Sequence, residues 1–179
     1  MVKKKTCIFI SGSVTKHKNI IFSSKNETFP IKICLIVTDN RKAYGIKYAK
    51  KYKIPFLFVN TKQRNFENDI LFNLKKYEIS FICLAGYMKI ISNNIIQKYK
   101  KRIINIHPSL LPKFKGLNTY SRILKSKEVK AGCTVHYVDK KLDNGNSIIK
   151  KMFFIREKDN ERTLKQRTQK LEYQAYPEA

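Results

Sequence analysis

The chain has 179 residues, 42% of them hydrophobic and 12% aromatic, enough to bury a core and too apolar for a disordered protein. No apolar run approaches the roughly 18 residues of a membrane span. The formal net charge is +25, but the lysines are spread along the whole chain, often beside Asn and Ile, not gathered into a tail or one helix face. Because all three residues have AT-rich codons, gene composition accounts for the excess and nucleic acid is not expected as a partner. Positive potential would instead favour small anionic substrates.

In chain order, β-branched or aromatic runs bounded by Gly, Pro, Asn or Asp predict strands at Thr6–Ile10, Ile31–Val37, Phe56–Val59, Phe81–Leu84, Arg102–Ile106, Cys133–Val138 and Ser147–Ile155. Helical spacing predicts helices over Arg41–Tyr52, Arg64–Tyr77, Asn93–Tyr99, Thr119–Lys125 and Glu161–Tyr173. The start, Met1-Val2-Lys3-Lys4-Lys5, is followed by too short an apolar stretch for a secretion signal, so a cytoplasmic location is expected. Cys7, Cys34, Cys83 and Cys133 form no C-x-x-C pair and read as buried thiols. No clustered metal-ligand set is present, and no metal is expected.

The βαβα order implies an α/β fold: a Rossmann-like, mostly parallel sheet with helices on both faces. The short Asp139–Asn146 link between the last two strands implies an antiparallel pair near the carboxyl end. With no linker or repeat, residues 1–179 are expected to form a single domain.

Ligands of such sheets bind outside the carboxyl ends of the strands, and four segments lie there. Ser11-Gly12-Ser13-Val14-Thr15-Lys16 is a small-residue turn feeding a helix; it is either an anion cradle or an ordinary strand-to-helix turn. Leu84-Ala85-Gly86-Tyr87-Met88-Lys89-Ile90-Ile91 by spacing alone reads as core at the start of a helix. Asn105-Ile106-His107-Pro108 places an amide and an imidazole on one face at a strand end. There Asn105 can donate to a developing oxyanion, and Pro108 and Pro112 fix the exit of the chain. Leu142-Asp143-Asn144-Gly145 has favourable turn chemistry, or else supplies a carboxylate that orients His107.

Together, Asn105-x-His107-Pro-Ser-Leu-Leu-Pro, Gly116-Leu-x-Thr119, Gly132-Cys-Thr-Val-His136 and Asp143-x-Gly145 resemble the phosphoribosylglycinamide formyltransferases, the folate-dependent enzymes of de novo purine synthesis. The resemblance runs from the first strand to Tyr176-Pro177 and implies the formyltransferase fold. It implies a catalytic trio of Asn105, His107 and Asp143. It implies that 10-formyltetrahydrofolate, as co-substrate, is held by Arg64, by the backbone of Met88, Lys89, Ile90 and Ile91, and by Asn105. It implies that glycinamide ribonucleotide is held by Gly12, Ser13, Val14, Thr15 and Lys16 at its phosphate and by Glu172. It further implies small-molecule partners, no membrane, and a monomer or homodimer.

The sequence departs from the family pattern at three places. The family's phosphate loop reads approximately Ser-Gly-x-Gly-Ser-Asn, where this chain has Val14, Thr15 and Lys16; Lys89 stands for an Arg, and Asn146 for a Pro. Methionyl-tRNA formyltransferases share the Asn-x-His…Asp pattern but carry an additional carboxyl-terminal domain, whereas only a few dozen residues follow Asp143. Formyl-folate hydrolases carry an extra amino-terminal domain. A non-catalytic basic binding protein on the same fold is the alternative from a different class.

Overall fold

The computed structural model describes residues 2–12 and 16–179, the side chains of Lys16 and His17 excepted. By its internal packing the chain divides between Ile103 and Ile104 into two compact units.

The first unit holds four parallel strands: β1 (Lys4–Ile10), β2 (Ile31–Thr38), β3 (Phe56–Phe58) and β4 (Phe81–Leu84), in the order β3-β2-β1-β4. Their central residues are buried whichever way the side chain points: Cys7, Ile8, Phe9 and Ile10 on β1, Leu35, Ile36 and Val37 on β2, Ile82 and Cys83 on β4. That is why these strands read as unbroken apolar runs. Helices α1 (Lys16–Ser23), α2 (Gly45–Lys51), α3 (Phe66–Lys76) and α4 (Asn93–Lys98) bury Ile20 and Ile21, Ala49, Ile70 and Leu74, and Ile95 and Ile96 respectively. Each fully buried aliphatic side chain contributes about 1.5–3 kcal/mol.

Two predicted helices start later than their spacing suggests. The Arg41–Tyr52 pattern becomes helical only at Gly45. Before it, Asn40 Oδ1 accepts from Lys42 N–H at 2.9 Å and Asn40 O from Ala43 N–H at 3.0 Å, a side-chain-closed turn that competes with helix. Likewise Arg64 lies in a turn begun at Asn60, and α3 opens at Phe66. The segment read as core at a helix start also differs. Residues 85–91 are loop, with Met88 62% and Ile90 85% exposed and Ile91 buried. The helix waits for the N-cap at Ser92, whose Oγ accepts from Ile95 N–H at 3.3 Å.

The second unit opens within β5 (Ile103–His107) and continues with α5 (Thr119–Lys125), β6 (Lys130–Tyr137), β7 (Ser147–Phe154) and α6 (Glu161–Glu178). β6 runs antiparallel to β7, as the short link implied, and also to β5. Ile123, Ala131 and Leu164 form a core cluster with Phe114, Tyr120, Phe153 and Ile155. A capping box starts α6: Asn160 Oδ1 accepts from Thr163 N–H at 3.0 Å and Thr163 Oγ1 from Asn160 N–H at 2.9 Å. The helix passes the predicted end at Tyr173 and carries Pro177 in its last turn, because Ala175 and Tyr176 are buried there and the Tyr176 hydroxyl donates to Ile104 O at 3.2 Å. All four cysteines are free thiols; Cys7, Cys83 and Cys133 are buried and Cys34 half-buried.

Candidate active site

Strand alternation and register build one side of the site. Asn105 and His107 stand two apart on β5, and the antiparallel register sets them opposite His136 and Thr134 of β6. Paired side chains on one face of such a ladder lie close enough to interact. Asn105 Nδ2 is accordingly 3.2 Å from His136 Nε2. Thr134 shapes the chain leaving His107: its Oγ1 accepts from Leu111 N–H at 3.0 Å and its hydroxyl donates to Ser109 O at 2.7 Å. The Ser109 hydroxyl in turn donates to Lys113 O at 2.6 Å.

The Asp143 turn closes over this face. Asp143 adopts φ 47°, a left-handed conformation that Asp tolerates. Two residues on, Gly145 lies so close to the end of β6 that a Cβ would come within 1.9 Å of Tyr137 O. Both readings of Asp143 therefore hold: it is a turn residue, and its carboxylate is aimed inward with 8% exposure. Its Oδ2 accepts from Gly116 N–H at 2.9 Å and lies 3.2 Å from His107 Nδ1. Its Oδ1 accepts from Asn105 Nδ2 at 3.4 Å and lies 3.6 Å from His136 Nε2. Burial pushes the carboxyl pKa up. At the acidic pH where this carboxyl titrates and the imidazole rings carry charge, the His136 ring donating to it, the Gly116 N–H and the positive charge of the imidazoles outweigh burial and hold the carboxyl below its ordinary range.

His107 is 6% exposed, with Nδ1 on Asp143 and Nε2 2.9 Å from Phe114 O. A carboxylate and a carbonyl both accept, so only a ring protonated on both nitrogens donates to both. The sequence reading expected a carboxylate on this imidazole; it did not foresee that a backbone carbonyl occupies the other nitrogen.

The remaining expected site residues are placed as follows. Gly12 is half-buried in a bend after β1, and Lys16 opens α1; Ser13, Val14 and Thr15 lie outside the described residues. Arg64 is exposed, and Met88, Lys89 and Ile90 are exposed in the loop after β4. Ser11 anchors that loop: its N–H donates to Gly86 O at 3.2 Å and its Oγ accepts from Met88 N–H at 2.9 Å. Glu172 is 1% exposed on α6, and its charge, after burial, raises the pKa of the Tyr120 hydroxyl on α5. Among the described residues no group of three or more His, Cys, Asp or Glu is placed to hold a metal ion.

Sequence reasoning assigned no role to His136, and it placed Ser11 only in the turn that is either an anion cradle or an ordinary strand-to-helix turn, not as an anchor of the loop after β4. His136 was within reach of it. Once Cys133–Val138 is a strand antiparallel to the one bearing Asn105, alternation puts Thr134 and His136 on a single face.

A buried acid–base pair beside a side-chain amide, on an α/β fold with an antiparallel carboxyl end, is the equipment of a group-transfer enzyme acting on a carbonyl carbon. Residues 4–179 match the family model described as formyl transferase, and the chain belongs to that family. It is 38% identical over 178 residues to the phosphoribosylglycinamide formyltransferase of Bacillus subtilis (strain 168), covering 97% of this chain and 91% of that one. It is 34% identical over 181 residues to the trifunctional purine biosynthetic protein adenosine-3 of Gallus gallus, covering 99% of this chain and 18% of that longer one. Among solved structures, the phosphoribosylglycinamide formyltransferase of Anaplasma phagocytophilum superposes with a TM-score of 0.92 at 32% identity, over 99% of this chain and 84% of that one. The α/β fold expected from the sequence, mostly parallel with an antiparallel carboxyl end, is the fold of these enzymes.

Proposed function

We propose that this chain transfers the formyl group of 10-formyltetrahydrofolate to the amine of glycinamide ribonucleotide, a step of de novo purine synthesis, in the cytoplasm. The observation that supports it most directly is the convergence of Asn105 and His107 on the Asp143 carboxylate, Asn105 Nδ2 at 3.4 Å and His107 Nδ1 at 3.2 Å, in a chain of the formyl transferase family.

In this reading the substrate amine attacks the formyl carbon and negative charge builds on the formyl oxygen. Asn105 supplies the direct hydrogen bond; one such donor is worth about 10² to 10³ in rate. His107 supplies positive charge, its Nε2 proton being engaged by Phe114 O. Asp143 holds His107 charged and, through water, passes the proton leaving the amine toward the departing folate nitrogen, an acid–base contribution of about 10² to 10⁴. Arg64 and the backbone of Met88, Lys89, Ile90 and Ile91 hold the folate. Glu172 holds the glycinamide, and Gly12 to Lys16 hold the ribose phosphate.

The test is direct. Purified protein is mixed with 10-formyltetrahydrofolate and glycinamide ribonucleotide, and both products are followed, tetrahydrofolate by absorbance and the formylated nucleotide by mass. Formation of both in equal amounts is expected. Release of tetrahydrofolate without the formylated nucleotide, or no turnover at all, overturns the reading.

A further inference from the structure

We infer that His136 is a positioning residue whose protonation decides which end of the Asn105 amide faces the reacting formyl group. The inference rests on the reading of Asn105 as the donor to the formyl oxygen.

His136 is 2% exposed, and its surroundings leave little choice about its protons. Nδ1 lies 2.8 Å from Tyr137 O, and a carbonyl only accepts, so Nδ1 carries hydrogen. In the neutral ring Nε2 is then a bare acceptor. Asn105 Nδ2 meets it at 3.2 Å, and the same amide nitrogen also donates to Asp143 Oδ1 at 3.4 Å. With His136 neutral, this network is closed, and both Asn105 amide hydrogens are spent on it. The atom left over is the amide oxygen. Presented to a formyl oxygen gaining negative charge, an acceptor opposes the reaction that Asn105 is there to assist.

A half-turn of the amide reverses this. The amide oxygen then meets His136 Nε2, which needs a hydrogen, while Nδ1 keeps its own on Tyr137 O. The ring takes one proton from solvent and becomes an imidazolium. Its Nε2–H is shared between the Asn105 oxygen and Asp143 Oδ1, 3.6 Å away, which compensates the charge. The amide NH₂ is freed to donate to the formyl oxygen. When the amide turns back the proton returns to solvent, so none is consumed and none enters the transferred group. The charged groups governing this ring are Asp143 and, on its other oxygen, His107; the strand neighbours Asn105 of β5 and Ser147 of β7 are neutral.

Two measurements test it. The first is nitrogen NMR of wild-type protein labelled in its histidines, of which there are 3. The free protein at neutral pH should show His136 as the Nδ1–H tautomer, and a complex with an analogue of the tetrahedral intermediate should show it doubly protonated. A ring that stays neutral in that complex overturns the inference. The second is kinetic. Wild-type kcat should fall at alkaline pH. A glutamine amide donates or accepts without gaining a proton, so His136→Gln should keep kcat within about tenfold, hold both KM values within about twofold, and lack that fall. His136→Phe should lower kcat by about 10², the cost of a lost oxyanion donor. A wild-type pH profile in His136→Gln overturns the inference. Asn105→Ala with near-normal kcat instead overturns the role given to Asn105, a failure separable from that of His136.

Discussion

The Asp143 carboxylate stands 3.2 Å from His107 Nδ1, and every other neighbour it meets can act as a donor: Gly116 N–H, Asn105 Nδ2 and the His136 ring. An isosteric amide keeps the shape but turns an NH₂ toward groups that themselves donate, and it removes the charge that favours a cationic His107. Asp143→Asn should therefore remain folded, lose about 1–3 kcal/mol of stability, and lose about 10² or more in kcat with smaller changes in KM. Steady-state kinetics beside a urea titration checks both. Near-wild-type kcat in a folded Asp143→Asn protein removes Asp143 from the chemistry.

The same carboxylate predicts an acid dependence of stability. Its pKa is depressed in the folded protein and near about 3.9 in the unfolded chain. A depressed carboxyl adds stability that is fully present above the unfolded value and is lost as pH falls through the folded one. Below pH about 5 the histidines of the unfolded chain are already charged, so acid effects there report on carboxyls. The stability difference between wild type and Asp143→Asn should be level near pH about 5 and shrink below about 4. A difference that stays level down to pH about 2 contradicts the assignment. Glu78 and Asp159, whose carboxyls are also held low, titrate in both proteins and cancel.

The sheet and most of the helices were legible in the sequence because each depends on short-range pattern, whereas the pairing of Asp143 with His107, distant in the chain, was implied only by the family resemblance. Alternation on β5 put Asn105 and His107 on one face, and the continuous apolar runs gave away the buried strands. What stayed hidden depends on partners distant in sequence. The Phe114 carbonyl on His107 follows from the path of a returning loop. His136 became visible only through the β5–β6 register, which pairs it with Asn105. Helix starts failed where side chains closed a turn first, as at Asn40. The end of α6 ran past a proline because burial of Ala175 and Tyr176 overrode local propensity. The departures at Val14 and Thr15 lie outside the described residues.

Ser11 offers a test of the proposed folate segment. Its Oγ accepts the Met88 N–H and its own N–H holds Gly86 O, so one buried residue pins both ends of the turn at 86–88. Ser11→Ala leaves the backbone bond and removes the side-chain one, a loss of about 1 kcal/mol. That corresponds to a rise of about fivefold in KM for the formyl-folate, with kcat within about twofold. An unchanged KM for the folate, or a change confined to the nucleotide, would detach this turn from folate binding.

Gly116 and Gly145 both flank Asp143, and the structure predicts opposite sensitivities. Gly116 has φ +78°, but a Cβ there would meet nothing nearer than Leu142 Cδ2 at 3.7 Å. Gly116→Ala therefore adds mainly backbone strain, about 1–2 kcal/mol, and keeps the N–H that Asp143 accepts from. At Gly145 the obstacle is Tyr137 O at 1.9 Å, backbone against backbone, so the turn itself must lift from β6. Because Asp143 is two residues away on that turn, Gly145→Ala should cost about 1–3 kcal/mol and also move the carboxylate off His107. The expected result is a kcat loss approaching that of Asp143→Asn, with Gly116→Ala within about tenfold of wild type. Equal kcat in the two alanine variants would mean that the Asp143 turn is not held in place by its approach to β6.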